Sequence, residues 1–199
     1  MELTSIDVIA SALEREPELP GLGAMSSPDG AVTLMVSDIA NAEQVVEQLG
    51  PDRWEQLLRD HQMLVSRAVA HHDGAVLQTE RDGFMATFNS AHGGLRCAVE
   101  LQRMLDSESE GAMRIRIGMN AGFVIANPSQ PLGRNVVLAA RIAARSSGGE
   151  ILVSAALKEY TERDPTFRFE PRGEFHFKGL IGEHAVYSVR WREPTAAPA

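Results

Sequence analysis

Cysteine is scarce in this 199-residue chain, since Cys97 is its only one. A disulfide framework within the chain is therefore excluded, and a reducing cytosol is the expected compartment. Cys97 lies in a helical pattern beside Ala98 and Leu101, so we interpret it as a small buried apolar residue. Long hydrophobic runs are also missing, because no stretch approaches the roughly 18 apolar residues of a membrane span. Glu2 and Asp7 stand where a secretory leader is basic, so no leader is expected.

Basic side chains are in deficit as well, with 19 lysines and arginines against 27 acidic residues and a net charge of -8. This balance argues against a nucleic-acid backbone or an anionic membrane surface as the main partner. It does not exclude a small phosphate ligand, because the local charge decides such binding. Hydrophobic residues make up 44% of the chain and charged residues 23%, which is typical of a globular protein. The length predicts one domain with a short appendage.

Residues 1–30 form an acidic segment, which holds six acidic residues against one arginine and so carries five of the net eight negative charges. A short amphipathic helix is predicted to begin near Ser5, and the prolines that follow it favour a linker. The segment is either a regulatory helix or a linker from another domain, and both alternatives stay open. Residues 31–191 are expected to form the main domain, and residues 192–199 a disordered tail.

The main domain alternates strand and helix patterns. Its order is β-α-β-β-α-β followed by an α/β extension, which predicts an α+β fold of the ferredoxin-like, palm type, with an antiparallel sheet and helices on one face. Strands are predicted at 31–39, 113–126 and 150–154, in a hairpin at 75–88 and in two closing strands, and helices at 42–71 with a break at Gly50-Pro51, 91–105, 133–145 and 155–161.

The stretch VLQTERDGFMATF, residues 76–88, predicts a β-hairpin with Asp82-Gly83 at its turn. Asp38 ends the first predicted strand, which a palm-type sheet places beside this hairpin. Two carboxylates at one end of a sheet, together with a bound triphosphate, are a common way to hold Mg²⁺. The two acids also fit simpler roles, with Asp38 as a helix N-cap and Asp82 as a turn residue, and both interpretations stay open.

Five segments follow one another in an order that is specific to a known family. They are VTLMVSDIANAEQVVEQLGPDRW, HHDGAVLQTERDGFMATF, MRIRIGMNAGFVIA, PLGRNVVLAARIAARSSGGEILVS and FEPRGEFHFKGLIGEHAVYSV. Together they resemble the class III adenylyl/guanylyl cyclase catalytic domain, in the form of a degenerate bacterial member. The resemblance extends from about residue 31 to residue 191 and implies the class III nucleotide cyclase fold.

The resemblance implies a reaction and a set of residues for it. In the family, the ribose 3′-hydroxyl attacks the α-phosphate and pyrophosphate leaves, which depends on positioning and charge neutralisation. By resemblance, Asp38, Asp82 and the backbone carbonyl of Ile39 hold Mg²⁺ or Mn²⁺. Arg141 falls on the arginine that stabilises the transition state, and a surface helix arginine is the alternative interpretation.

Several positions depart from the family pattern. Val137 stands one helical turn before Arg141, where the family has an asparagine, and valine cannot orient a ribose. Losing one such donor commonly lowers the rate by roughly 10²–10³. Asn135 is two residues away, on a different face of the helix. Gln78 and Gln130 replace the purine-selecting lysine and its acidic partner; they either hydrogen-bond a base edge with altered selectivity or are ordinary solvated side chains.

The loop after Asp38 also differs from the family. Asn41, Ala42 and Glu43 occupy nucleotide-binding positions, where the family has small residues and a hydroxyl so that backbone N–H groups cradle the triphosphate. Glu43 suits a helix start, yet it places a carboxylate where phosphate charge arrives. Lys178 lies near the position of a phosphate-contacting lysine in the family.

Arg81 replaces the glycine that usually precedes the second metal aspartate. Its fixed positive charge could pair with Asp38 or Asp82 and so take the place of the cation, and whether it does so stays open. His71 and His72 end the long predicted helix, where histidine interacts favourably with the helix dipole, so we do not interpret them as metal ligands.

These departures favour a class III cyclase homology domain in cyclic-nucleotide signalling, with weak or no cyclase activity and a nucleotide-binding, regulatory or dimerising role. The alternative is an active adenylyl or guanylyl cyclase with altered base selectivity, and a different enzyme on the same palm is a third possibility. Family sites form between two head-to-tail protomers, so a homodimer is expected, and a heterodimer with an intact cyclase stays open. A nucleoside triphosphate is the expected ligand; a nucleic acid, a membrane and any location other than the cytoplasm are not expected.

Overall fold

The computed structural model describes residues 4–6, 8, 9, 11, 31–108, 113–123 and 133–192. The predicted linker before residue 31, Gln130 and the tail after residue 192 lie outside these described residues. The strands are β1 (Ala31–Ile39), β2 (Gly74–Glu80), β3 (Gly83–Phe88), β4 (Ile115–Phe123), β5 (Ile151–Ser154), β6 (Arg168–Phe175) and β7 (His184–Arg190). The helices are α1 (Ala42–Leu49), α2 (Pro51–His71), α3 (Ala91–Glu108), α4 (Gly133–Ala143) and α5 (Ala155–Thr161).

The strands form one sheet in the order β2-β3-β1-β4-β5-β7-β6. Strand β1 is antiparallel to both of its neighbours, with Ser37 opposite Phe84 on β3 and Asp38 opposite Arg116 on β4. Strands β4 and β5 run parallel, and antiparallel pairing resumes at β7 and β6. The first four strands with α1 to α3 make the predicted palm, and the rest is the α/β extension. The predicted α+β, ferredoxin-like fold is therefore confirmed.

Helices cover both faces of the sheet, because side chains alternate along each strand. Met35 packs on the face that carries α2 and α3. Leu34 and Val36 point to the opposite face, where they pack with Val136 and Ala140 of α4. The palm helices thus share one face as predicted, and α4 of the extension lies on the other.

The predicted break in the long helical pattern is confirmed at Gly50. Its φ of 77° is a left-handed conformation that glycine adopts readily, and Pro51 begins α2 at the position where a helix needs no N–H donor. Helix α2 then buries one face through Val65, Ala68 and Val69, in the cluster on the palm-helix face.

Strand β4 and helix α4 approach each other closely at Gly118. A Cβ at this position would lie 2.1 Å from the backbone nitrogen of Ala143 and 2.5 Å from the carbonyl oxygen of Ala139. Both distances are far inside van der Waals contact, so the position requires glycine. This approach sets how near α4, with Val137 and Arg141, lies to the sheet.

Cys97 is fully buried in α3, and burial raises the pKa of its thiol to about 12. A thiol of that pKa stays protonated at neutral pH and behaves as a small apolar side chain, as the sequence predicts.

Within the ranges that the structure describes, no helix combines the length and the apolar character needed to cross a membrane.

Candidate functional site

Asp38 lies near the end of β1 with only 1% of its surface exposed. Arg116 stands directly opposite it on β4 and donates to both carboxylate oxygens, from Nε to Oδ1 at 2.8 Å and from Nη2 to Oδ2 at 2.5 Å. This bidentate pairing neutralises the buried negative charge. The sequence shows Arg116 only as part of the polar side of an alternating strand, and the register of β1 with β4 is what makes it the partner of Asp38.

Asp82 is the second residue of the two-residue turn between β2 and β3, where Glu80 pairs with Gly83. The predicted hairpin is therefore present, with its turn one residue earlier than predicted. Asp82 is 8% exposed, and its Oδ2 accepts a hydrogen bond from the backbone N–H of Ile39 at 3.2 Å. Its Oδ1 accepts a hydrogen bond from the hydroxyl of Ser5. The hairpin turn and the end of β1 thus meet.

We call the meeting point of these two carboxylates the acid corner. It consists of Asp38, Asp82 and the Ile39 backbone between them, and it lies where β1 ends beside the turn between β2 and β3. Alternation along β1 puts Asp38 on the same face as Leu34 and Val36, which is the face that carries α4. The sequence predicts that Asp38 at the end of the first strand lies beside the hairpin turn with Asp82, and the structure agrees.

Arg81 occupies the hairpin turn with φ of 51°, in the left-handed region that favours glycine. Its side chain is exposed. The possible pairing of Arg81 with Asp38 or Asp82 is not what the structure has, since Arg81 is exposed and the donors to these carboxylates include Arg116, Ser5 and the backbone N–H of Ile39. The physical reason is its place at the tip of the hairpin, where solvent rather than the sheet surrounds the guanidinium.

Val137 and Arg141 lie one turn apart on α4 and therefore on the same side of the helix. Val137 is 5% exposed and packs in an apolar cluster with Val36 and Met85. Arg141 is half-buried. The position that precedes the arginine by one turn therefore contributes packing and offers no hydrogen bond.

Asn135 does not take the place of the missing asparagine. Its backbone carbonyl and its Oδ1 accept hydrogen bonds from Nδ2 of Asn120 on β4, at 3.1 and 3.3 Å. Its side chain also lies against the backbone at Gly122, since a Cβ there would be 2.6 Å from it. The side chain of Asn135 is therefore held toward β4, while Val137 occupies the side that it shares with Arg141.

The loop after the acid corner leads directly into α1. Asn41 is the N-cap of this helix, with φ of 56°, and its side chain makes no capping hydrogen bond. Ala42 is half-buried and Glu43 is exposed in the first turn. The exposed carboxylate of Glu43 therefore adds a negative charge to the first turn of α1, as the sequence indicates.

The residues predicted to contact the base and the phosphates belong to different parts of the chain. Gln78 is half-buried on β2 opposite Met85, just after an irregularity in the pairing of β2 with β3. Lys178 is exposed in the turn between β6 and β7. Gln130 lies outside the described residues, so the structure does not show whether it meets Gln78.

The donor set of the acid corner fits Mg²⁺ or Mn²⁺ in kind, because carboxylate and carbonyl oxygens are the ligands that these hard cations prefer. The carboxylate oxygens already accept hydrogen bonds, Asp38 from Arg116 and Asp82 from Ser5 and the Ile39 N–H. Each of these hydrogen bonds uses one of the lone pairs that a cation would otherwise share, so the donors compete with a cation for the two carboxylates. The corner therefore suits a cation chemically, and part of its acceptor capacity is already used by its own neighbours.

A cavity of about 270 Å³ lies behind the acid corner, between α2 and the hairpin, and is lined in part by His61, Thr79 and Asp82. His61 is 3% exposed, and among the described residues neither ring nitrogen has a hydrogen-bond partner. Burial lowers the pKa of His61 to about 4, although the negative charge of Asp82 acts in the opposite direction. The imidazole is therefore neutral at physiological pH and adds no positive charge at the corner.

A second group of ligand-type side chains joins the end of α2 to α3. The Nε2 of His72 lies 2.7 Å from Glu100, and Nδ1 of His71 lies 3.5 Å from the same carboxylate. The three ligand atoms lie within 4.8 Å of one another. Hydrogen bonding between the end of α2 and α3 accounts for these contacts, and Glu100 is the member that the sequence did not indicate.

Sequence comparisons point to one family. The sequence model described as Adenylate and Guanylate cyclase catalytic domain matches residues 25–190. An uncharacterized protein of Mycobacterium tuberculosis strain H37Rv is 30% identical over 131 residues, which are 65% of this chain and 44% of that protein. Adenylate cyclase 1 of Rhizobium meliloti is 24% identical over 182 residues, which are 79% of this chain and 27% of that protein. The chain thus spans less than half the length of either relative.

Solved structures share the architecture. The adenylate/guanylate cyclase/hydrolase from Silicibacter pomeroyi matches with a TM-score of 0.67 at 27% identity, over 80% of this chain and 95% of that chain. The adenylyl cyclase CyaB from P. aeruginosa matches with a TM-score of 0.72 at 18% identity, over 85% of this chain and 97% of that chain, which shows the fold alone. With the strand order and the match over most of the sequence, these findings show that the chain belongs to the adenylate and guanylate cyclase catalytic domain family.

Proposed function

We propose that this chain is a degenerate cyclase homology domain, which binds a nucleoside triphosphate with little or no cyclisation and acts as a regulatory, dimerising module in cyclic-nucleotide signalling. The observation that carries the proposal is Val137. It lies one turn before Arg141 and is buried in an apolar cluster, so its side chain belongs to the core. A residue in that role cannot orient a ribose hydroxyl.

The remaining chemistry at the corner supports binding better than turnover. Asp38, Asp82 and the carbonyl of Ile39 would hold Mg²⁺ or Mn²⁺, which would neutralise phosphate charge when bound. Arg141 would contribute positive charge near the α-phosphate. The cation and Arg141 would neutralise charge on the phosphates, but without a donor at Val137 no side chain at that position would orient the ribose. Losing one such donor commonly costs roughly 10²–10³ in rate.

Three further positions support altered nucleotide handling. Gln78 and Gln130 would offer amide donors and acceptors to a base edge, and neither carries the charge of the residue it replaces. Glu43 would face the triphosphate with a like charge, which weakens binding unless a cation intervenes. We therefore expect nucleotide affinity to depend on the cation and to discriminate poorly between ATP and GTP.

A head-to-tail homodimer is the assembly we propose, since one chain holds versions of both halves of the family's composite site. The acid corner would come from one protomer, and Arg141 with the glutamines from the other. Symmetry would then give two equivalent sites. A heterodimer with an intact cyclase is the competing assembly, in which the position lost at Val137 would be supplied by the partner.

The test is a cyclisation assay of the purified chain with Mn²⁺ and labelled ATP or GTP. We expect cyclic product at the level of a protein-free control, together with cation-dependent binding of nucleotide in calorimetry. Val137→Asn is the matched variant, and it should raise product formation if the missing amide limits the rate. Cyclic product from the unmodified chain that disappears in Asp38→Ala would overturn the proposal and establish the active cyclase with altered selectivity.

A further inference from the structure

The described residues of the N-terminus pack on the main domain as a short helical segment. We call residues 4–11 the N-terminal cap; of these, 4–6, 8, 9 and 11 are described. The backbone N–H of Val8 donates to the carbonyl of Thr4 at 3.0 Å, as in a helix. Ile6 and Ile9 are 1% and 0% exposed, whereas Val8 is only half-buried. The cap therefore has a buried side and a more open side.

The buried side of the cap lies on the sheet face that carries α4. Ile6 and Ile9 belong to the apolar cluster that contains Val36, Met85 and Val137. Strands β1 and β3 and helix α4 thus converge under the cap. The position that lost its asparagine is in contact with the same cluster, so the cap and the site share one surface.

The start of the cap reaches the acid corner itself. Ser5 is 5% exposed, and its hydroxyl donates to Oδ1 of Asp82. The fit is close, since a Cβ at Gly83 would lie 2.7 Å from the Cβ of Ser5. The other oxygen, Oδ2, accepts from the backbone N–H of Ile39. While the cap is docked, both oxygens of Asp82 are therefore engaged.

We propose that the N-terminal cap regulates the acid corner: docked, it keeps Asp82 from binding a divalent cation, and undocked, it releases that carboxylate. This inference rests on the proposed function, because it assigns a control to the same site. The two anchors of the cap are chemically different. Ile6 and Ile9 hold it by burial, and Ser5 occupies the ligand atom. Only the loss of the apolar anchor formed by Ile6 and Ile9 should undock the whole segment.

The chain offers a matched pair of variants to test the cap. Ile9→Asp places a charge on the buried side and should undock the segment, whereas Val8→Asp places the same charge on the half-buried side next to it. Ser5→Ala removes the hydroxyl and leaves the apolar anchors in place. All three are made in the full chain, and two quantities are measured: amide hydrogen exchange of the N-terminal residues, and the affinity for Mn²⁺ from the free-ion signal in electron paramagnetic resonance.

The expected results follow from the fraction of molecules with an open corner. Ile9→Asp should speed exchange in the cap and tighten Mn²⁺ binding by about tenfold or more, because apparent affinity scales with the competent fraction. Ser5→Ala should tighten binding by a few-fold, with exchange unchanged. Val8→Asp should leave the Mn²⁺ affinity within about twofold of the unmodified chain.

Several outcomes would overturn the inference. One is a cap that exchanges freely in Ile9→Asp while the Mn²⁺ affinity stays the same. Another is a cap that exchanges as fast as an unstructured peptide in the unmodified chain. The absence of Mn²⁺ binding from every variant would also contradict the role of the cap. In that case the proposed regulatory and dimerising function would remain, but without a bound cation. Conversely, cyclic product from the unmodified chain would overturn the proposed function, and the cap would still be judged by the Mn²⁺ affinities of Ile9→Asp and Val8→Asp.

Discussion

Asp38 shows how one residue depends on a partner far away in the chain. Its carboxylate is almost fully buried, and Arg116 on β4 donates one hydrogen bond to each of its two oxygens. Removing one partner of a buried ion pair leaves an uncompensated charge and costs about 3–5 kcal/mol. We expect Arg116→Ala to lower the free energy of unfolding in urea by about that amount, and Mn²⁺ to restore part of it by taking the place of the guanidinium.

Arg114→Ala is the matched control, because Arg114 lies two residues earlier and is exposed. A surface substitution of this kind changes stability by less than about 0.5 kcal/mol. Equal losses for the two variants would show that the pair with Asp38 does not stabilise the fold.

Arg81 carries a local strain that its own backbone reveals. A left-handed conformation costs an L-residue about 1–2 kcal/mol relative to glycine, and Arg81 adopts φ of 51°. Arg81→Gly and Arg81→Ala both remove the guanidinium, but only glycine relieves the strain. We expect the glycine variant to be the more stable by about 1 kcal/mol in thermal or urea denaturation. An alanine variant of equal or greater stability would contradict a strained turn.

His61 couples the stability of the protein to pH. Burial lowers its pKa from 6.5 to about 4 in the folded chain, so the unfolded chain binds a proton first as the pH falls. The stabilising contribution of the neutral ring is complete above pH 6.5 and declines between 6.5 and 4. Between pH 7.5 and pH 5 we expect this group to remove roughly 2 kcal/mol from the free energy of unfolding.

His61→Leu tests this coupling, because it keeps an apolar side chain of similar size without a titrating group. Urea denaturation at the two pH values should show a smaller loss for the variant than for the unmodified chain. The same loss in both would mean that other groups account for the acid sensitivity.

At the scale of elements, α4 is positioned by a close approach to β4. Gly118 leaves no room for a Cβ against the backbone of Ala139 and Ala143. Gly118→Ala should therefore push α4 from the sheet and lower the free energy of unfolding by about 3 kcal/mol or more. In Gly93→Ala, on α3, the nearest atom would be 3.2 Å away, so we expect a change within about 1 kcal/mol. Similar losses of stability in the two variants would mean that the close contact between β4 and α4 is not the cause.

Local patterns predicted the elements well, and their failures have a physical cause. The two strands of the hairpin, the break at Gly50 and helix α2 follow from apolar periodicity and from turn residues, which act over a few positions. The turn at Asp82 was misplaced by one residue, because an aspartate-glycine pair marks a hairpin without stating which residues the strands pair. The face on which α4 lies was not predicted, since periodicity gives a buried side and not its partner.

For the whole molecule, association is the property that the chain's two half-sites imply. We expect the average mass in sedimentation equilibrium to rise toward twice that of the chain with increasing concentration. Arg141→Ala and Asp38→Ala should not abolish this association, because each removes a group from the site rather than the apolar contacts around it. A mass that stays at one chain at every concentration would favour a heterodimeric partner over the homodimer.

The sequence by itself determined the order and type of the elements, the family and the placement of Asp38 and Asp82 at one corner, because those follow from local periodicity and from motifs that keep their order. Only the tertiary structure decided what holds that corner. Arg116 and Ser5 reach the two acids across sequence separations of 78 and 77 residues. Such contacts depend on strand register and on how a terminal segment docks, and neither leaves a periodic trace in the chain.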